Sequence, residues 1–261
     1  MDYQDIRYTS EEHSAIITID RPERMNAFRG RTVDELIQAF KRAWADPAVA
    51  CVIFTGAGDR AFCAGGDQKE YAETGSYGTS ENGLFEIEEL HQVIRNVPKP
   101  VIAAVNGLAI GGGNVLHVVC DVTIASETAR FGQAGPRVGS FDAGYGTAHL
   151  ARVVGEKRAR EIWFFCRQYD ATTAERWGLV NKVVPPERLM DEARAWAREA
   201  AALSPTALRF LKAAFNAETA HVFGQGKLAF AGLDAFARTE EAHEGHQSFA
   251  EKRPPDFSRF R

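Results

Sequence analysis

The chain has 261 residues, 45% of them apolar, enough for a sizeable core as one domain or one and a half. A net charge of −4 excludes a general attraction to nucleic acid or anionic membrane, and no apolar run approaches the ~18 residues of a membrane span. The cysteines (Cys51, Cys63, Cys120, Cys166) lack metal-ligand spacing and read as reduced thiols, and no secretory leader is recognisable, so a cytoplasmic protein is expected.

In chain order, residues 14–19 predict a strand stopped by Asp20-Arg-Pro22. Val33, Leu36, Ile37, Phe40 and Trp44 at helical spacing predict an amphipathic helix over 31–45. A strand over 50–55 leads into a glycine-rich segment, Ala61-Phe-Cys-Ala-Gly-Gly-Asp67. Residues 70–83, polar and glycine-spotted, read as a mobile loop. A helix over 84–95 puts Leu84, Ile87, Glu88, His91 and Ile94 in register, and a strand over 101–105 follows Pro98 and Pro100. The second glycine segment, Ala109-Ile-Gly-Gly-Gly-Asn114, opens a helix reaching Val119. A strand over 120–125 and a loop over 131–136 precede helices over 146–152, 156–166, 172–178, 187–203 and 206–217, with more helix after 224. Strand–helix alternation followed by helices alone predicts an α/β fold with a helical C-terminal module.

Glycine lets main chain approach a ligand without a Cβ in the way. One N–H from each glycine segment, the second at the positive end of a helix, could hold one developing oxyanion, which points to enolate chemistry on a carbonyl substrate. The spacing Gly56-Ala-Gly58-Asp-Arg-Ala61 also matches a dinucleotide fingerprint, but that motif must open a helix, and Phe62-Cys-Ala-Gly-Gly66 interrupts one. Ser140 and Asp142, flanked by Gly139 and Gly144, suit a catalytic turn and equally an Asx-turn or helix cap. His91, His117 and His149 lie in apolar helical patterns and read as core or surface residues. No His/Asp/Glu cluster has metal-ligand spacing, so no metal is expected. The basic clusters Lys157-Arg158-Ala-Arg160 and Lys252-Arg253 read as a solvated helix face and a tail.

Arg21-Pro-Glu-Arg-Met-Asn-Ala-Phe28, Ala61-Phe-Cys-Ala-Gly-Gly-Asp-Gln68, Pro98-Lys-Pro-Val-Ile-Ala103 and Gly111-Gly-Gly113, in that order, resemble the crotonase (enoyl-CoA hydratase/isomerase) superfamily over essentially the whole chain. The resemblance implies a spiral of ββα units over 1–190 and a helical oligomerisation module over 191–261, giving a homotrimer or a hexamer. It also implies an acyl-CoA substrate, with an oxyanion hole made by the N–H groups of Gly66 and Gly112. CoA would lie along Arg24–Ala27 and Ala64–Gly66, and Lys252 could reach its phosphates. No cofactor is implied beyond the CoA carried by the substrate.

Hydratases of this superfamily carry two glutamates where this chain has Val115 and Gly135, neither of which can move a proton. The stretch from Gly132 to Asp142, with Ala159-Arg-Glu-Ile-Trp163, resembles instead the 2-ketocyclohexanecarboxyl-CoA hydrolase and 1,4-dihydroxy-2-naphthoyl-CoA synthase branches. One opens a ring and the other closes one, both through a thioester enolate. Gly113-Asn-Val-Leu116 and Thr219-Ala-His221 look more like the ring opener, while Gln68 and Tyr77 look more like the synthase. Bicarbonate-using synthases hold that ion with a Gln-Thr-Gly segment and a Trp. Gln133, Gly135 and Trp163 match, but Ala134 replaces the Thr, which puts bicarbonate in doubt. Both branches carry a functional Tyr where this chain has Ala237, so either Tyr77 fills that role or the reaction differs from both. The expectation is hydrolytic ring opening of a cyclic β-keto acyl-CoA, with Asp142 as acid/base and Ser140 in support. The alternatives are ring closure, generic enoyl-CoA hydration or isomerisation, and a non-catalytic member that binds a protein or RNA.

Overall fold

The computed structural model describes residues 2–80 and 83–261. The chain starts with an antiparallel pair, β1 (Ile6–Glu11) and β2 (Ser14–Ile19), then helix α1 (Gly30–Ala45). Next come β3 (Cys51–Gly56), the short β4 (Ala61–Cys63), and helices α2 (Gln68–Thr74) and α3 (Ile87–Asn96). The pattern repeats as β5 (Val101–Val105), β6 (Leu108–Ile110) and α4 (Gly112–Val118). It repeats again as β7 (Val122–Ser126), β8 (Arg130–Gly132), α5 (Tyr145–Val154) and α6 (Glu156–Phe165). After β9 (Gln168–Asp170), α7 (Ala171–Arg176) and β10 (Lys182–Val184), the chain is helical: α8 (Leu189–Ala201), α9 (Pro205–Ala217), α10 (Val222–Phe236) and α11 (Glu240–Ala250). The result is an α/β spiral of ββα units with a helical C-terminal end.

The large sheet has the order β1-β2-β3-β5-β7-β10 and is parallel from β2 onward. Both of its faces are covered, so its inner strands are apolar at nearly every residue. Ile16, Ile53, Ile102 and Ile124 pack on Leu189, Ala193 and Ala197 of α8, while Ile17, Phe54 and Ala103 join the core that contains α1 and α3. Helix α1 buries Val33, Leu36, Ile37 and Phe40, but Trp44 in its last turn is exposed. No helix follows Gly56 and Gly58, where β3 turns directly into β4, so the dinucleotide geometry is not formed.

The loop expected over 70–83 is corrected in part. Asp67 Oδ1 accepts from the N–H groups of Lys69 and Glu70 (3.2 Å each), which starts α2, and Gly75 in the left-handed region (φ 79°) ends it. Glu81 and Asn82, also in that stretch, lie outside the described residues. Residues 131–136 likewise begin as the end of β8, and the strand expected over 120–125 starts at Val122.

A buried ionic network fastens the first glycine segment to the N-terminal hairpin. Arg21 Nη2 donates to Asp67 Oδ2 (2.9 Å), and Asp5 accepts both Arg29 Nε (2.8 Å) and Thr32 Oγ1 (2.6 Å). Burial opposes ionisation of Asp5, but the hydrogen bonds from Arg29 and Thr32 outweigh it and hold the carboxyl below its ordinary value. A depressed carboxyl contributes stability above its unfolded-state value and loses it in acid, so this tie fails only at pH below the usual carboxylate range. Asp67→Asn removes the charge facing Arg21 and is expected to cost about 1.5–3 kcal/mol, the worth of a hydrogen bond to a charged group. The check is a lower urea midpoint at unchanged slope, and an unmoved midpoint would mean that Asp5 alone holds Arg21.

Candidate active site

Strands β4, β6 and β8 are parallel neighbours in the small sheet, so their C-terminal ends lie side by side. Residues 64–66, 111–112 and 133–142 leave those three ends and meet around a cavity of about 300 Å³. Ala64, Gly66, Gly112, Gln68 and Tyr77 line it. Gln133, Ser140, Asp142 and Trp163 line it as well. Nine of the twelve expected site residues are therefore brought together.

The two glycine segments touch. A Cβ on Gly112 would lie 3.6 Å from Gly65 Cα, and one on Gly113 would fall 1.8 Å from the Cys63 carbonyl oxygen, so only glycine fits at 113. Phe28 N–H donates to Gly65 O and Asp67 N–H donates to Phe28 O (2.8 Å each), a bridge that skips the Gly66 N–H between them. Among the described residues, no backbone carbonyl accepts from the N–H of Gly66 or of Gly112. Two free donors at the wall of one cavity can bind a single oxygen.

The Tyr77 ring stands over Gly66, where an added Cβ would meet it at 2.6 Å. Its hydroxyl accepts from Gln68 Nε2 (2.8 Å), and burial pushes the phenol up to about 12, so it stays neutral with its own proton available. Gln68 Oε1 is paired in turn with His246 Nδ1 (3.1 Å), which ties this wall to α11.

Asp142 is half-buried on the turn before α5. Its Oδ1 accepts from Gly144 N–H (2.9 Å), so the Asx-turn expected from the sequence coexists with a place in the cavity wall. Burial raises the carboxyl above its ordinary value, the N–H groups of Gly146 and Gly144 pull it back, and the Glu88 carboxylate adds to the rise. A Cβ on Gly135 would lie 2.6 Å from the Ser140 carbonyl oxygen, so no side chain fits where a hydratase glutamate would stand. Val115 fills the other glutamate position, buried in the wall.

Gln133 is 2% exposed, and both polar atoms of its amide lack a partner among the described residues. Trp163 differs: its Nε1 donates to Gly146 O (3.0 Å) and is not free for an anion. Ala134 brings no hydroxyl to this wall.

Arg24, Ala27 and Lys252 do not line the cavity. Residues 24–27 form a turn whose Met25 carbonyl accepts from Ala64 N–H (3.1 Å), and the Ala27 carbonyl is taken by Arg21. Lys252 is exposed, three residues past Phe249 at the cavity wall. Ala237 is half-buried at the end of α10, away from the cavity lining. Sequence reasoning missed His91, which lines the cavity with both ring nitrogens unpartnered. His117 is an ordinary satisfied core histidine, paired with Thr123 and Asn114. Among the described residues no group of His, Cys, Asp and Glu could hold a metal, and no helix is long and apolar enough to cross a membrane.

The model of the enoyl-CoA hydratase/isomerase family matches residues 9–259. The chain belongs to that family. It is similar in structure to an enoyl-CoA hydratase from Mycobacterium avium subsp. paratuberculosis K-10, at 28% identity over 98% of this chain and 100% of that one, with a TM-score of 0.86. A carnitinyl-CoA hydratase from Mycobacterium avium is 32% identical over 98% and 99%, with a TM-score of 0.84. An enoyl-CoA hydratase/isomerase from Xanthobacter autotrophicus Py2 is 31% identical over 96% and 94%, with a TM-score of 0.83. The α/β spiral is the crotonase fold, and the chain is a crotonase-superfamily enzyme of acyl-CoA substrates.

Proposed function

We propose that this enzyme opens the ring of a cyclic β-keto acyl-CoA by hydrolysis, as 2-ketocyclohexanecarboxyl-CoA hydrolases do. The observation that carries the reading is a cavity with two glycine N–H groups unpaired among the described residues and a raised carboxyl, Asp142, while Val115 and Gly135 stand where hydration would need two glutamates. The Asp142 carboxylate takes a proton from water, and the resulting hydroxide adds to the ring ketone. The Cα–Cβ bond breaks, its electron pair passes to the thioester, and the enolate oxygen rests between the N–H groups of Gly66 and Gly112. Protonated Asp142 returns the proton to Cα, so one water is consumed and a carboxylic acid appears. Ser140 orients the water. CoA lies along residues 24–27 and 64–66 with Lys252 near its phosphates, and no step uses bicarbonate.

A second reading, ring closure as in 1,4-dihydroxy-2-naphthoyl-CoA synthases, draws on the Gln68–Tyr77 hydrogen bond beside Gly66, which sets a neutral phenol at the oxyanion position. A non-catalytic binding role is disfavoured by the free donors and the raised carboxyl, which a mere binding surface does not need. For assembly we propose a homotrimer or a dimer of trimers through the C-terminal helices. Phe210, Leu211, Phe215 and Leu228 are 70%, 56%, 76% and 77% exposed on α9 and α10, an apolar face that calls for a partner copy.

The test is incubation with 2-ketocyclohexanecarboxyl-CoA, with and without bicarbonate, followed by mass. Gain of one water regardless of bicarbonate is expected. Cyclisation of succinylbenzoyl-CoA with no action on the ketone ester would reverse the assigned direction. Crotonyl-CoA is expected to be hydrated far below the usual enzymatic kcat/KM of ~10⁴–10⁸ M⁻¹s⁻¹. A rate within that range would return the chain to the hydratases.

A further inference from the structure

One group in the cavity wall has no task in this chemistry. His91, on α3, is 1% exposed and faces the cavity, and neither ring nitrogen has a partner among the described residues. Its ring lies 5.3 Å from that of Tyr145 on α5 and 6.4 Å from that of Phe230 on α10. Burial, with His149 of α5 nearby, pulls its proton affinity down to about 3, so the imidazole is neutral at working pH and offers one donor and one acceptor. A buried polar group left unpaired is destabilising unless a ligand atom completes it.

The charged side chain that lines this cavity among the described residues is an acid. Asp142 lines the cavity, and Glu88 lies one turn before His91 on α3. Glu88 Oε2 is held by Lys227 (3.1 Å), whereas its Oε1 is buried without a partner. No lysine or arginine is among the described residues lining the cavity. An acyl group ending in a carboxylate would bring a further negative charge to a wall that holds no cation.

We infer that His91 is a specificity-determining residue that hydrogen-bonds a neutral oxygen, ketone or hydroxyl, on the acyl group, and that the cavity rejects acyl groups bearing a carboxylate. The inference rests on the acyl-CoA ring-opening reading and deepens it. Hydrolysis turns a neutral ring into an acyl chain ending in a carboxylate, so the product is disfavoured in the cavity that bound the substrate. Repulsion by Asp142 then speeds its release.

The experiment is calorimetric binding of three thioesters that cannot be cleaved at a ketone: 2-hydroxycyclohexanecarboxyl-CoA, cyclohexanecarboxyl-CoA and 6-carboxyhexanoyl-CoA. Wild type is expected to bind the hydroxyl compound ~5–100-fold more tightly than either of the others, the range set by leaving a buried donor unpaired. His91→Leu should bind the two ring compounds alike, and His91→Gln, which keeps a donor and an acceptor, should restore a preference. Because Gln133 offers a second unpaired amide, the Leu variant isolates the share of the imidazole. Equal binding of all three by wild type, or a preference that survives in His91→Leu, would overturn the role of His91 and leave the acyl-CoA reading intact. Tight binding of the carboxyl compound would overturn the charge argument. Failure of all three to bind would overturn both this inference and the proposed function.

Discussion

Gly66→Pro turns over ~10²–10³-fold more slowly than Gly66→Ala, the loss expected when one oxyanion donor worth ~2.7–4 kcal/mol is deleted. Alanine is the matched control because a Cβ at 66 meets the Tyr77 ring at 2.6 Å in either variant. Only proline also removes the N–H. That N–H has no backbone partner among the described residues, since the flanking bridge uses Gly65 O and Asp67 N, so its removal breaks none of their backbone hydrogen bonds. Gly66 is not among the left-handed glycines, so alanine does not force its backbone. The comparison is single-turnover rate on the ring ketone, with circular dichroism to establish equal folding. Equal rates for the two folded variants would remove Gly66 from the oxyanion hole. A Tyr77→Phe variant separates the ring from its hydroxyl: if the phenol takes the place of the Tyr missing at Ala237, it slows turnover without changing the Pro-to-Ala ratio.

The glycine segments were legible because each follows an apolar β-branched run and breaks it, a local signal. Their meeting, which a shared oxyanion requires, comes from β4 and β6 being parallel neighbours, and strands of three residues are too short to carry a period that would show this pairing. The edge strand β1 was missed because most of Ile6–Glu11 is solvent-facing and shows no apolar alternation. Polar composition made residues 70–74 look like loop, although Asp67 with Glu70 three residues on is a helix-start signal that could have been read. For His91 the periodicity of α3 gave burial correctly. Whether a buried face meets core or cavity is decided by the packing of α5 and α10, which sequence spacing does not contain. Trp44 failed in the opposite sense: it continues the stripe of α1, but the helix ends where the core no longer reaches it.

Asp142→Asn should lower kcat on the ring ketone by ~10²–10⁴-fold, the usual contribution of general acid–base catalysis. The substitution keeps the size and an oxygen that can still accept from Gly144 N–H, so the turn before α5 survives. What it removes is a site that can take and return a proton. The pH profile gives an independent reading. Burial and the Glu88 charge raise the Asp142 carboxyl, so its base form appears only above the ordinary carboxylate value of 3.8. For wild type, kcat/KM should therefore climb with pH through a limb lying above that value, and the limb should vanish in the residual activity of Asp142→Asn. Glu88→Gln removes a neighbouring negative charge and should move the limb toward acid while keeping most of the rate. An Asn variant as fast as wild type would take Asp142 out of the mechanism. A limb that stays in the Asn variant would assign the titration to another group, and one that ignores Glu88→Gln would leave burial alone as the cause of the raised carboxyl.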